Sequence, residues 1–173
     1  MEFEKVMALR QSVRAYTKED VTDEDTAALL AAAQASPVGM HNYKGYMLGV
    51  VHSPEVLAKM KAAFTEKTGQ KNDPLYGAPL FIFVADGPDA LPEVAPFDGA
   101  CIVNDMHLAA TARGLGSVFI LGMMRTLRDD ASLAAALGLP EGYRLLCGLA
   151  AGHAAHPVKE RKEETHFPVL HVR

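Results

Sequence analysis

With 173 residues, 49% of them apolar, the chain is long enough to bury a sizeable core as one domain and too short for two of ordinary size. A formal charge of −4, with no basic stripe and no interleaved aromatics, gives no electrostatic footprint for nucleic acid. Acidic residues at the start (Glu2, Glu4), no apolar run near the roughly 20 residues that span a bilayer, and no CxxC spacing predict a cytoplasmic protein whose thiols, Cys101 and Cys147, are reduced and buried.

Phe3, Val6 and Met7 stand at helical spacing, so a short amphipathic helix delivers Arg10 at its C-terminal end. Arg10-Gln11-Ser12-Val13-Arg14 then sets two guanidinium forks and a hydroxyl where a helical pattern gives way to alternation over residues 12–16. A rigid, permanently charged fork suits a phosphate or a polar heterocycle; a solvated charged turn is the plain alternative. Thr22 and Asp25 resemble a capping box opening a helix, which Ser36-Pro37 stops because proline cannot continue the ladder. Asp23, Glu24 and Asp25 are expected as exposed charges at that helix's N-terminus.

Residues 38–45 form a loop with two glycines, Gly39 and Gly45, followed by a strand over 46–51 and a helix from Ser53-Pro54-Glu55 to about Lys67, ended by Gly69. Residues 80–85 are continuously apolar, and read as a buried central strand. Residues 86–97 carry three prolines, Pro88, Pro92 and Pro96, and read as an irregular crossing, a lid or a partner contact. The helix over 98–112 is apolar on more than one stripe, which places it at the centre of the core or at a subunit interface, with Asn104 and His107 as satisfied polar groups. Gly114-Leu115-Gly116 ends it and turns into a strand over 117–121. A helix over 129–137, a strand over 144–150 and an extended arm over 153–173 complete the chain, and the alternation in the arm puts Lys159 and Arg161 on one side.

No GxSxG elbow, P-loop or recognisable serine nucleophile is present. His153 and His156, even with His166, fit no strong zinc spacing, so no metal is assigned. What remains is a basic site assembled from the two ends of the chain, with no catalytic side chains of its own, so that a cofactor has to carry any chemistry.

The order of Arg10-Gln-Ser-Val-Arg14-Ala-Tyr16, Ala35-Ser-Pro-Val38-Gly-Met40, Gly114-Leu-Gly-Ser117, Gly138-Leu-Pro140, Gly152 and Lys159-Glu-Arg161 resembles the nitroreductase family of FMN-dependent oxidoreductases across essentially the whole chain. The resemblance implies an α/β (α+β) fold with a mixed, mostly antiparallel sheet flanked by helices, in a single FMN-binding domain. It also implies a homodimer with FMN at the interface, hydride from NADH or NADPH, and a small organic acceptor such as a nitroaromatic or quinone. Carried over residue by residue, it assigns Arg10, Ser12 and Arg14 to the ribityl-phosphate and the polar edge of the ring. Lys159 and Arg161 go to the phosphate, Pro37, Val38 and Met40 to a loop that meets the flavin of the other subunit, and Ile120, Leu121 and Gly122 to the edge of the isoalloxazine. The flavin performs the reaction, and no catalytic side chain is assigned. The chain departs from the family in three places. His41, with Asn42 beside it, occupies the position of a flavin-contacting Asn; Leu121 stands where some members carry Glu; and a Gln-Pro-Trp after the loop is absent. Two other readings stay open: a flavin-binding protein that stores, senses or cleaves flavin, and a cofactor-free interaction dimer.

Overall fold

The computed structural model describes residues 1–162 and 166–172; the part of the predicted arm at 163–165 and 173 lies outside them. Four strands, β1 (Tyr46–Val51), β2 (Leu80–Asp86), β3 (Gly116–Ile120) and β4 (Arg144–Gly152), form one sheet in the order β1-β2-β4-β3. All three pairings are antiparallel. β2 sits in the middle and is buried along its whole length, as its unbroken apolar run requires when both faces are covered. Its alternation separates two cores. Phe81, Phe83 and Ala85 face α3 (Pro54–Thr68), α5 (Gly122–Leu127) and α6 (Ala131–Ala136), while Leu80, Ile82 and Val84 face α2 (Asp23–Ala35) and α4 (Ala95–Ala112). Fully burying one such side chain contributes about 1.5–3 kcal/mol. Gly49 lies opposite Phe83, whose ring would stand 2.0 Å from any Cβ placed there, so glycine is what lets that ring lie flat on β1.

The first helix, α1 (Phe3–Leu9), forms as expected, yet of its apolar stripe only Val6 is buried, and Phe3 and Met7 face outwards. α4 begins at Ala95 rather than 98, because Pro96 sits in the first turn, where its missing N–H removes no helical bond; the end of the expected irregular crossing is therefore helical. It closes with Gly114 at φ +81°, the Leu115 N–H bonding to Ala110 O at 2.8 Å and the Gly114 N–H to Thr111 O at 3.0 Å, which is a Schellman ending. The helix expected over 129–137 is shorter, with Asp130 as its N-cap accepting from the Leu133 N–H at 2.9 Å, and α5 before it was not foreseen.

Two expectations about polar burial are corrected. Cys147 is buried, but Cys101 is exposed on the outer face of α4, because a helix apolar on several stripes does not reveal which stripe the sheet covers. Asp25 is not an exposed terminal charge. It is buried, its Oδ1 accepting from Arg113 Nε at 2.6 Å and its Oδ2 from the Thr22 hydroxyl at 2.9 Å, so α2 is tied to the end of α4.

The Arg113 bond, helped by Thr22, holds the Asp25 carboxyl below its ordinary value. A lowered folded value means the unfolded chain takes up the proton more readily. The stabilisation is therefore complete above about pH 4 and disappears as the pH falls through the folded value. Asp25→Asn should accordingly be less stable than the parent at pH 6, with the gap closing towards pH 3. Urea midpoints across that range measure it, and a gap that stays constant would remove the pair from the acid response.

Candidate functional site

α1 ends where the Arg10 N–H donates to Val6 O at 2.8 Å, and the chain then runs extended. Ser12 pairs in parallel with Ser117 of β3, and the Val13 N–H donates to Ser117 O at 2.9 Å. Further along, Tyr16 pairs antiparallel with Ala154, just beyond β4. The segment carrying the two arginines is therefore an added piece of sheet edge, fixed at both ends. From α4 the buried His107 reaches it, its Nε2 lying 3.1 Å from Gln11 O. Only a donor fits a carbonyl oxygen, so Nε2 carries the proton. Burial, then the nearby Arg10 and Arg161 charges, push the His107 pKa down against the opposing pull of the Gln11 bond, which keeps the ring neutral.

The C-terminal arm returns to the same place. The Arg161 N–H donates to Ala8 O at 2.9 Å and its Nη2 to Met7 O at 2.7 Å, while Gln11 Nε2 donates to Lys159 O at 3.1 Å. Lys5 pairs with Glu160. The sequence-predicted cations from both ends of the chain are thus brought together: burial and the neighbouring Arg161 charge lower the pKa of Arg10. A groove of about 290 Å³ runs alongside, lined by residues 11–15 and 156–158, Ser12 and Arg14 among them. The Arg14 guanidinium carbon stands 5.9 Å from the centre of the Tyr76 ring. Tyr76 itself is held at φ +58°, a left-handed conformation that bulky residues rarely adopt.

Such a donor set is chemically suited to an anion. Five cations elsewhere have carboxylate partners, Arg113 with Asp25, Arg128 with Asp86, Lys67 with Asp130, Lys61 with Asp73 and Lys44 with Asp89, while the exposed Lys18, Lys59, Lys71 and Arg125 have none among the described residues. Among the described residues, Arg10, Arg14, Lys159 and Arg161 have none either. Bringing Arg10 against Arg161 while partly desolvating it is unfavourable by itself, and the attraction of both cations to a bound dianion would outweigh that repulsion. Nearby, the Ser117 hydroxyl is buried with no hydrogen-bond partner among the described residues.

The other predicted residues lie elsewhere. Pro37, Val38 and Met40 belong to a loop tied to α4 at two places, where the Ser36 hydroxyl donates to Asp105 at 2.7 Å and the Gly39 N–H to Asp98 at 3.0 Å; Tyr46 donates to Asp98 as well, at 2.7 Å. At about 3.6 residues per turn Asp98 and Asp105 both lie about half a turn round the helix from His107, so this loop and the arginine cluster meet opposite faces of α4. Val38 is buried beneath the loop. Met40 is 84% exposed, and Met40 and His41 both have left-handed backbones, at φ +56° and +55°. The Asn42 side-chain amide is engaged within the chain, donating to Asp89 O at 2.7 Å, whereas the His41 ring makes a tilted contact with Tyr43 and no hydrogen bond among the described residues. Ile120 is buried at the end of β3, Leu121 is exposed, and Gly122 opens α5 with open space where a side chain would be.

Gln11, His107, Ser117 and Tyr76 are the polar and aromatic participants that sequence reading did not assign. Gln11 lies inside the quoted motif, but nothing in a one-dimensional pattern marks its carbonyl as a partner for a histidine in α4.

Comparison with known proteins matches residues 7–153 to the model of the Nitroreductase family. A protein of Archaeoglobus fulgidus that carries the name NADH dehydrogenase/NAD(P)H nitroreductase is 29% identical over 154 residues, covering 86% of this chain and 83% of its own. The crystal structure of a nitroreductase with bound FMN from Bacteroides fragilis superposes with a TM-score of 0.84 at 26% identity, covering 99% of this chain and 100% of that one. A nitroreductase with bound FMN from Desulfitobacterium hafniense shares the fold, with a TM-score of 0.82 at 24% identity over 98% of both chains.

Proposed function

This chain belongs to the nitroreductase family, and from that premise we propose that it is an FMN-dependent oxidoreductase of the cytoplasm, folded as one flavin-binding domain and working as a homodimer. The observation that carries the proposal is the meeting of Arg10, Lys159 and Arg161 from opposite ends of the chain, none of them paired with a carboxylate among the described residues, since the neighbouring Glu160 pairs with Lys5. When bound, FMN supplies hydride transfer from NADH or NADPH to a small organic acceptor such as a nitroaromatic or quinone.

The chain's own residues bind and orient. Arg10, Lys159 and Arg161 neutralise the phosphate, Ser12 adds a hydroxyl donor, and Arg14, steadied against Tyr76, reaches the polar edge of the ring. Ile120, Leu121 and Gly122 border the isoalloxazine, Leu121 through its backbone N–H alone. The loop of Pro37, Val38 and Met40 serves the flavin held by the partner, a division of labour consistent with its place on the other face of α4 from the arginines. With Asn42 occupied by Asp89, His41 is the loop residue free to take the flavin contact. Exposed Phe97 and Cys101, four residues apart on α4, together with exposed Leu121 and Met40, supply apolar surface for the second subunit.

Purified protein is expected to be yellow, to release FMN on denaturation, and to bleach when NADH or NADPH is added without oxygen. Yellow protein that does not bleach would move the assignment to flavin storage, sensing or cleavage. A colourless protein that FMN cannot reconstitute would leave only an interaction dimer.

A further inference from the structure

The two halves of the basic cluster are joined by main-chain and side-chain bonds at several points. The arm carrying Lys159 and Arg161 touches α1 through the Arg161 bonds to Met7 and Ala8 and the Lys5 pair with Glu160. It is tied to the segment beyond Arg10 by main-chain bonds at its start, Ala155 N–H to Ala15 O at 3.0 Å and Thr17 N–H to His153 O at 2.9 Å, and beside the cations by the Gln11 side chain, which donates to Lys159 O at 3.1 Å. That same residue is held from the other side, since His107 on α4 donates to its carbonyl at 3.1 Å. Gln11 is therefore a junction. Its main chain is pinned to a buried helix and its side chain pins the arm, and the flanking Arg10 is held beside Arg161 although like charges push them apart.

We propose that Gln11 and His107 are positioning residues for the phosphate end of the cofactor, setting Arg10 and the Lys159–Arg161 arm at a fixed separation before any anion binds. This rests on the flavin reading above. Neither residue touches the phosphate; each acts through a backbone carbonyl. Because the arrangement is made in advance, the anion does not have to gather two mobile cations, and that preorganisation appears as affinity. His107 acts as a neutral donor, so any side chain presenting an N–H at the place of Nε2 can do the same work. Gln is such a side chain, and Leu is not.

The test is titration of the flavin-free full-length chain with FMN and, separately, with riboflavin, which has the same ring and ribityl chain but no phosphate. Gln11→Ala and His107→Leu are expected to weaken FMN about tenfold, the size of one lost hydrogen bond of this kind, and to leave riboflavin affinity unchanged. His107→Gln is expected to restore FMN binding. Gln11→Ala lies on the surface segment and keeps the experiment interpretable if His107→Leu fails to fold. An equal fall for FMN and riboflavin, or unchanged FMN binding in Gln11→Ala, overturns the assignment, as does failure of His107→Gln to rescue a folded His107→Leu. A parent protein that binds neither flavin overturns the cofactor reading itself, a different result from a variant that loses phosphate selectivity alone.

Discussion

Arg128→Ala is expected to lower the unfolding free energy by about 3–5 kcal/mol, because it leaves the Asp86 carboxylate buried without its counter-charge. Asp86 ends β2 with its side chain 4% exposed, and Arg128 binds it through two nearly parallel bonds of 2.7 Å while also donating to Leu145 O at 2.8 Å. Arg144, half exposed and 3.8 Å away, is too distant to replace it. The reverse change, Asp86→Ala, should cost less, about 2–3 kcal/mol, since Arg128 is 27% exposed and can turn towards water. For a chain of this size the larger loss moves the melting midpoint down by roughly 10 °C. Thermal and urea unfolding of both single variants and of a double replacement by apolar residues checks the ordering. A double variant as unstable as Arg128→Ala alone would show that packing at this corner, and not the stranded charge, sets the loss.

The second large effect concerns ligand binding. Arg10→Ala should weaken FMN by about 1.5–3 kcal/mol, roughly tenfold to more than a hundredfold, the range for hydrogen bonds to a charged group. Arg10 has no carboxylate partner among the described residues, so its removal disturbs no internal ion pair, and the melting temperature should hold or rise as the repulsion from Arg161 disappears. Falling affinity with undiminished stability separates a ligand-binding cation from a structural one. Unchanged FMN affinity in both Arg10→Ala and Arg14→Ala would move the site elsewhere.

Much of the fold could be read in one dimension because its signals are local. The Thr22 cap, the stop at Pro37, Pro54 in the first turn of α3, Gly69 after its last turn and the apolar run of β2 each act within a few residues, and each stands where expected. The failures share a different cause. Cys101, Asp25 and the outward faces of Phe3 and Met7 depend on which stripe of a helix meets the sheet, a long-range fact that composition does not carry. The cluster at Arg10 and Arg161 was legible as two basic patches in a recognisable order, but the parts that hold it, the Gln11 junction and the His107 donor, are hydrogen bonds to main-chain atoms and leave no trace in residue type.

The closing of the two chain ends on each other also dictates when the basic cluster can exist. Arg161 is made 154 residues after Met7, the residue whose carbonyl it binds. At about 5–20 residues per second the ribosome takes roughly 8–30 seconds to cover that interval, ample time for the sheet and most helices to form. Until the arm emerges, Arg10 waits at a sheet edge with no companion charge. The basic cluster is therefore completed late in biosynthesis, and a chain stopped after β4 would hold nearly every element of the fold with the Lys159 and Arg161 half of that cluster missing.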